Sequence, residues 1–170
     1  MKKDNVVLIG MPASGKSTVG VILAKLLGYD FMDTDLLIQR REGRLLSEII
    51  REKGLDGFLA VENDVCGGIE ALKTVIATGG SAVYGEEAMR HLREIGWIVW
   101  LDADYEAIRG RLSDIRGRGV VLRERQTLRA LYDERAVLYR RWADIAVPEA
   151  GQGVEATVEA VQRALEGKIR

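Results

Sequence analysis

The most constraining stretch of the chain is Gly10-Met11-Pro12-Ala13-Ser14-Gly15-Lys16-Ser17, followed by Thr18. Four apolar residues, Val6 to Ile9, lead into it, and Val19, Ile22, Leu23, Leu26 and Leu27 follow at helical spacing. The context is therefore strand, glycine-bounded loop, helix, which is the setting of a phosphate-cradling P-loop. A loop that wraps a polyphosphate must turn its N–H groups inward, and bulky side chains would obstruct that turn. Gly10 and Gly15 supply the freedom, with Ala13 and Ser14 between them. The helix opening near Gly15 presents its positive dipole end to the anion. Lys16 is placed to reach the β- and γ-phosphates, and the Ser17 hydroxyl to ligate magnesium.

The rest of the composition sets limits. At 170 residues the chain suits one domain with a full core. A formal net charge of -1 gives no overall field toward nucleic acid or an anionic membrane, so anion binding must be local. Cys66 is the single cysteine, which excludes an intramolecular disulfide and points to a reducing compartment. The apolar run after the N-terminal lysines stops at Ile9 in a Gly-Met-Pro turn, so a signal peptide is not expected, and no segment approaches a membrane span. A cytoplasmic monomer without nucleic-acid or membrane partners is the expectation.

Taken in order, Gly28 is expected to cap the first helix, and Tyr29 to Met32 to form a second strand ending in Asp33-Thr34-Asp35. In a parallel sheet with helices on both faces, ligands sit beyond the strands' carboxyl ends, which places both aspartates on the P-loop's rim. Two acids there can divide the work: one holds magnesium or its water, the other orients or deprotonates an attacking hydroxyl. The alternative is a helix N-cap, from Asp33 or Thr34. Helical stripes follow at Leu36–Arg41, at Leu45, Leu46, Ile49 and Ile50 up to Gly54, and at Phe58, Val61, Val65, Ile69 and Leu72, with Glu62 and Asp64 assigned to other faces. Lacking a strand of their own, these helices (about 35–72) are expected to form a substrate-binding insertion.

Val75 to Thr78 is expected as the third strand. Gly79-Gly80-Ser81 follows, serving a tight turn or close approach of backbone to ligand, and its rim position favours the ligand. Glu86 to Ile95 reads as a helix on whose charged side His91 is solvated, and Trp97 to Leu101 as a buried fourth strand. Arginines at 109, 111, 116, 118, 123 and 125, interspersed with Gly110, Gly117 and Gly119, suit a mobile lid over phosphates, about 113–124. Leu128–Trp142 reads as a helix, Ala143–Val147 as a fifth strand broken by Pro148, and Val154–Leu165 as the closing helix. Alternating strands and helices give one α/β domain with a mostly parallel sheet.

The P-loop, Phe31-Met32-Asp33-Thr34-Asp35, Ala77-Thr78-Gly79-Gly80, the arginine segment and Glu134-Arg135-Ala136-Val137-Leu138-Tyr139 occur in an order and at intervals that resemble the shikimate kinase family, from Val6 to Val147. The resemblance implies a three-layer P-loop NTPase fold, like that of nucleoside-monophosphate kinases, with a five-stranded parallel sheet and helices on both faces, in a single kinase domain over 1–170. It implies ATP-dependent phosphorylation of a small hydroxylated carboxylic acid, shikimate, to its 3-phosphate in aromatic amino-acid biosynthesis. By the same resemblance, Gly10, Ala13, Ser14, Gly15, Lys16, Ser17 and Thr18 hold ATP, and Mg2+ sits on Ser17 and, through water, on Asp33. Asp35 binds the acceptor hydroxyls and serves as base. Phe58, Gly79 and Gly80 line the acceptor pocket, and Arg135 takes the acceptor carboxylate through its guanidinium fork. Arg118, with Arg116 as the alternative, is the lid arginine, and Arg111, with Arg109 as the alternative, packs against adenine.

Three departures bear on the acceptor. The family places arginine, a second carboxylate contact, where this chain has Leu59; its triple glycine ends here in Ser81; and the proline after the lid arginine is Gly119. Losing a hydrogen bond to a charged group costs about 1.5 to 3 kcal/mol, unless Lys53 or Arg51 swings in. A kinase of another polyol or hydroxy acid, as in the related gluconate kinases, is therefore a second reading, and a nucleotide-binding switch a third.

Overall fold

The computed structural model describes residues 3–114, 122–149, 151 and 153–169. Its strands are β1 (Asn5–Ile9), β2 (Asp30–Asp33), β3 (Thr74–Ala77), β4 (Gly96–Ala103) and β5 (Ile145–Glu149). They form one sheet in the order β2-β3-β1-β4-β5, and every pairing is parallel. The helices are α1 (Lys16–Leu27), α2 (Thr34–Glu42), α3 (Leu46–Gly67), α4 (Glu86–Ile95), α5 (Tyr105–Asp114), α6 (Leu128–Trp142) and α7 (Gly153–Leu165). A short 3-10 turn covers Ala82–Tyr84.

The apolar run of β1 forces a central position, because alternate side chains point to opposite faces and all need cover. Val6 and Leu8 pack with Val75, Val99, Leu101 and Val147 under α1 (Val19, Leu23) and α7 (Val158, Val161, Leu165). Val7 and Ile9 pack with Ile76, Ile98 and Trp100 under α3 (Cys66), α4 (Met89, Leu92), α5 (Ile108) and α6 (Tyr139, Trp142). Burying each such side chain contributes about 1.5–3 kcal/mol against the entropy of ordering the chain, and the result is three layers. A third apolar cluster, Ile38, Ile49, Phe58 and Val65, joins α2 to α3.

The first strand starts one residue before the apolar run. Asn5 is 1% exposed; its side-chain amide donates to the Ala71 and Ile95 carbonyls at 2.9 Å each, and its Oδ1 accepts from the Thr74 amide at 3.0 Å. One polar side chain thus closes the amino-terminal edge of three strands.

Several expectations shift. The second strand lies one residue later than expected and takes in Asp33 itself. Pro148 does not end the fifth strand but lies within it, paired in register with Asp102. The strand is at the sheet edge, where one side needs no N–H donor. Gly54 does separate two helical segments within α3, with φ 71 and ψ 178. His91 is half-buried and its Nε2 lies 2.6 Å from the Ile69 carbonyl, so it ties α4 to the end of α3 rather than standing in solvent. Among the described residues no helix is long and apolar enough to cross a membrane.

Candidate active site

The loop between β1 and α1 turns through three positive φ angles, Gly10 at 149, Ala13 at 63 and Gly15 at 88. For Ala13 this is an unfavourable conformation, and strain of that kind persists where surrounding structure demands it. The Ser14 amide donates to the Met11 carbonyl at 3.1 Å, closing the loop. No side chain caps α1, whose N-cap is Gly15, so its first-turn amides are open to an anion. Lys16 curls back onto this loop, donating to the Gly10 and Met11 carbonyls at 2.8 Å each and to Ser14 Oγ at 3.3 Å. Burial lowers its ammonium to about 8, against an opposing pull from Asp35.

A cleft of about 900 Å³ opens in front of this loop. It is lined by Ala13, Gly15, Lys16, Ser17, Thr18, Asp33, Asp35, Phe58, Gly79, Gly80, Arg111 and Arg135 among others. These residues come from α1, β2, α2, α3, α5, α6 and the loops after β1 and β3, and the sheet's carboxyl edge brings them together. Gly10 and Ser14 lie behind the loop instead: Ser14 is 3% exposed, and a β-carbon at Gly10 would stand 2.8 Å from the Leu101 carbonyl oxygen.

Asp33 uses both of its carboxylate oxygens. Its Oδ1 caps α2 by accepting from the Asp35 amide at 2.9 Å, and its Oδ2 accepts from the Ser17 hydroxyl at 2.9 Å. Two oxygen donors side by side at the mouth of a phosphate loop suit Mg2+, which takes one or two protein oxygens and fills its octahedron with phosphate and water. Thr34, fully buried, accepts from the Gly79 amide at 3.1 Å and so fixes the strand-end glycines. Other groups approach both glycines closely. A β-carbon at Gly79 would lie 2.7 Å from Glu62 Oε1 and 2.8 Å from Asp35 Oδ1; one at Gly80 would lie 2.7 Å from Pro12 Cδ and 3.0 Å from Arg135 Nη1.

Arg135 is 5% exposed on the inner side of α6. Its guanidinium sits 5.6 Å from the Tyr84 ring centroid, and its Nε has no hydrogen-bond partner. Tyr139, one turn later, donates its hydroxyl to the Gly80 carbonyl at 2.7 Å. Arg111 donates to the Ala13 carbonyl at 3.0 Å and pairs with Glu149, which clamps α5 to the P-loop and to the end of β5. Arg109 pairs with Glu106 on its own helix and does not line the cleft, so of the two adenine candidates only Arg111 is placed at it. Arg116 and Arg118 lie outside the described residues, as does most of the expected lid.

Leu59 is half-buried against the cluster of Ile38, Ile49 and Phe58. Neither possible substitute for a cation there has swung in: Lys53 lies 3.4 Å from Glu42, Arg51 is exposed, and neither lines the cleft.

Sequence reasoning misplaced Glu62. It is 1% exposed, not on an outer face, and its Oε2 accepts from the Ser81 hydroxyl at 2.6 Å. Burial, reinforced by the charge of Asp35, raises its carboxyl to about 7 although the Ser81 bond, Arg135 and Lys16 pull the other way. The signal was present in the spacing: 58, 62, 65 and 69 fall on one helical face, so Glu62 continues the stripe that starts at Phe58. Cys66 follows on the same helix; burial raises its thiol to about 12, which leaves it neutral and unreactive.

Comparison with known proteins matches this geometry. The family model for shikimate kinase covers residues 12–166. A shikimate kinase of Gloeobacter violaceus is 39% identical over 155 residues, covering 89% of this chain and 86% of its own. One from Persephonella marina is 34% identical over 149 residues, covering 87% and 90%. The solved structure of shikimate kinase from Acinetobacter baumannii in complex with shikimate superposes with a TM-score of 0.82 at 31% identity, over 98% of this chain and 96% of that one. A phosphate-cradling loop, an all-parallel five-stranded sheet and a family match across nearly the full length lead to one conclusion: the chain belongs to the shikimate kinase family and is an ATP-dependent small-molecule kinase.

Proposed function

We propose that this kinase transfers the γ-phosphoryl group of ATP to a hydroxyl of shikimate, releasing ADP and shikimate 3-phosphate. The observation that carries the reading is the placement of Asp35 and Arg135, one hundred positions apart in sequence, in one cleft with Lys16. A carboxylate that can accept a hydroxyl proton and a buried guanidinium that can take a carboxylate are what a hydroxy acid requires of its site.

In this reading the loop amides and Lys16 hold the β- and γ-phosphates, and Thr18 and Arg111 line the nucleotide side. Ser17 and Asp33 hold Mg2+, which supplies charge neutralisation on the phosphates. Arg135 anchors the acceptor carboxylate, while Phe58 and the backbone of Gly79 and Gly80 bound its ring. Asp35 orients the attacking hydroxyl and receives its proton as the oxygen–phosphorus bond forms and the bridging bond to ADP breaks. Catalysis then comes mostly from alignment and from charge neutralisation. Arg118 or Arg116 from the lid, about 113–124, completes the positive surround. The helices between β2 and β3 serve as the acceptor-binding insertion of a single domain. A cytoplasmic monomer is part of this reading.

A coupled ADP-release assay with shikimate tests this. Turnover well above the ATP hydrolysis background is expected; background-level turnover by folded protein that still binds ATP rejects shikimate as the acceptor.

A further inference from the structure

Arg135 is a buried cation, and among the described residues no carboxylate lies within the 4.0 Å of an ion pair from it. Glu62 is a buried acid beside the same glycine pair. Ser81 donates to one of its oxygens at 2.6 Å, and the other, Oε1, has no hydrogen-bond partner among the described residues. Oε1 and Asp35 Oδ1 both come near one point, at 2.7 and 2.8 Å from where a Gly79 β-carbon would stand. Among the described residues, Glu62 and Asp35 thus share this end of the cleft with the cations Arg135 and Lys16, since Leu59 packs into the apolar cluster and Lys53 and Arg51 stay outside. An acceptor carboxylate anchored on Arg135 brings a third negative group beside Glu62 and Asp35, while Lys16 is held back on the carbonyls of its own loop.

We propose that capture of an anionic acceptor by this kinase is coupled to uptake of one proton by Glu62, so that Glu62 and its holder Ser81 sort acceptors by charge. The inference rests on the reading of Arg135 as the acceptor anchor. No covalent step is involved: the proton comes from solvent, the acceptor stays ionised, and the Glu62 carboxyl becomes neutral while Arg135 turns its full charge to the ligand. The groups facing Glu62 are Lys16 from α1, Asp35 from α2, Arg135 from α6 and Ser81 after β3. Cys66 on its own helix stays neutral. Burial raises the Glu62 carboxyl to about 7 in the free protein, and a ligand anion beside it raises it further. Anion affinity is therefore flat below about pH 7 and falls by up to tenfold per pH unit above it, as one bound proton demands. An acceptor without charge escapes the penalty.

The test is calorimetric titration of the full chain with shikimate and with its neutral methyl ester, at saturating ADP and Mg2+ so that the phosphates keep Lys16 charged. Two buffers of different ionisation enthalpy at each pH from 6 to 8.5 report the protons taken up. The expected result is uptake approaching one proton per shikimate at pH 8, none with the ester, and none with shikimate in Glu62→Gln, whose amide conserves volume and still accepts from Ser81. Ser81→Ala, which removes a bond favouring the ionised form, moves the onset to higher pH. Shikimate binding at pH 8 without proton uptake, or uptake that survives in Glu62→Gln, overturns this inference alone. No shikimate binding at any pH overturns it together with the acceptor reading on which it rests.

Discussion

The Ser17 hydroxyl and Asp33 Oδ2 meet at 2.9 Å, which joins the first turn of α1 to the end of β2. The same carboxylate caps α2 through its other oxygen, so the group proposed to hold Mg2+ and the helix start that carries Asp35 are one unit. Asp33→Asn keeps the cap acceptor but loses the charge. Losing one charge-assisted contact corresponds to about 1.5–3 kcal/mol, or roughly 10- to 150-fold. A fall of that size in kcat is expected, with a higher Mg2+ concentration needed for half-maximal rate and a melting temperature close to the parent. Steady-state kinetics across a Mg2+ series checks it; an unchanged Mg2+ requirement would remove Asp33 from the metal site.

Gly79→Ala separates catalysis from folding. The added methyl would meet the ends of two side chains, Glu62 at 2.7 Å and Asp35 at 2.8 Å, rather than backbone. Such neighbours can shift, so the fold is kept, but the carboxylate proposed to receive the hydroxyl proton is displaced. Misplacing a reacting group by about 1 Å can cost on the order of 100-fold. Loss of that order in kcat with a small change in thermal midpoint is the expected outcome; full activity would place Asp35 outside the reaction.

Arg135→Lys keeps the charge and removes the planar fork. The change is expected to raise KM for shikimate by roughly 10- to 150-fold, the cost of a hydrogen bond to a charged group, and to leave KM for ATP near the parent value. Equal rises in both constants would instead mean that Arg135 supports the cleft as a whole.

The fold and the nucleotide half of the site were legible because they depend on local pattern. The apolar run of β1, the spacing of Gly10, Gly15 and Lys16, and the strand-end Asp33-Thr34-Asp35 each state their environment within a few residues. The parts that were not legible depend on what faces them across the core. Glu62 reads as an outward acid until Ser81, nineteen residues from it in the turn after the third strand, is seen to donate to it. His91 reads as solvated until α3 is packed against it. Pro148 reads as a strand breaker because edge position is a property of the sheet, not of the residue.

Asn5 carries more stability than its place at a strand start suggests. Asn5→Ala removes the partner of two part-buried carbonyls and one buried amide, at about 1 kcal/mol each. A loss of roughly 3 kcal/mol is expected, lowering Tm by about 6–12 °C for a chain of this size. Thermal melting with activity measured at 25 °C checks it: the folded fraction should retain its kinetic constants, since Asn5 sits at the opposite edge of the sheet from the cleft.

The raised carboxyl of Glu62 also predicts how stability varies with pH. The ordinary value for a glutamate is 4.5, and in the native protein burial holds it near 7. Between these values the native state keeps a proton that the unfolded chain releases, so the contribution of Glu62 falls as pH rises through this window and stays low above it. The whole effect is on the order of 3 kcal/mol, from about 1.4 kcal/mol for each tenfold change in proton affinity. Glu62→Gln has no such dependence. The variant should therefore match the parent in Tm at pH 4.5 and exceed it by several degrees at pH 8, with the difference opening between pH 5 and 7. Melting curves of both proteins at half-unit pH intervals decide the matter. A parent whose stability relative to the variant rises over that range would mean that Glu62 is ionised and held in the native state, with Arg135 already acting as its partner.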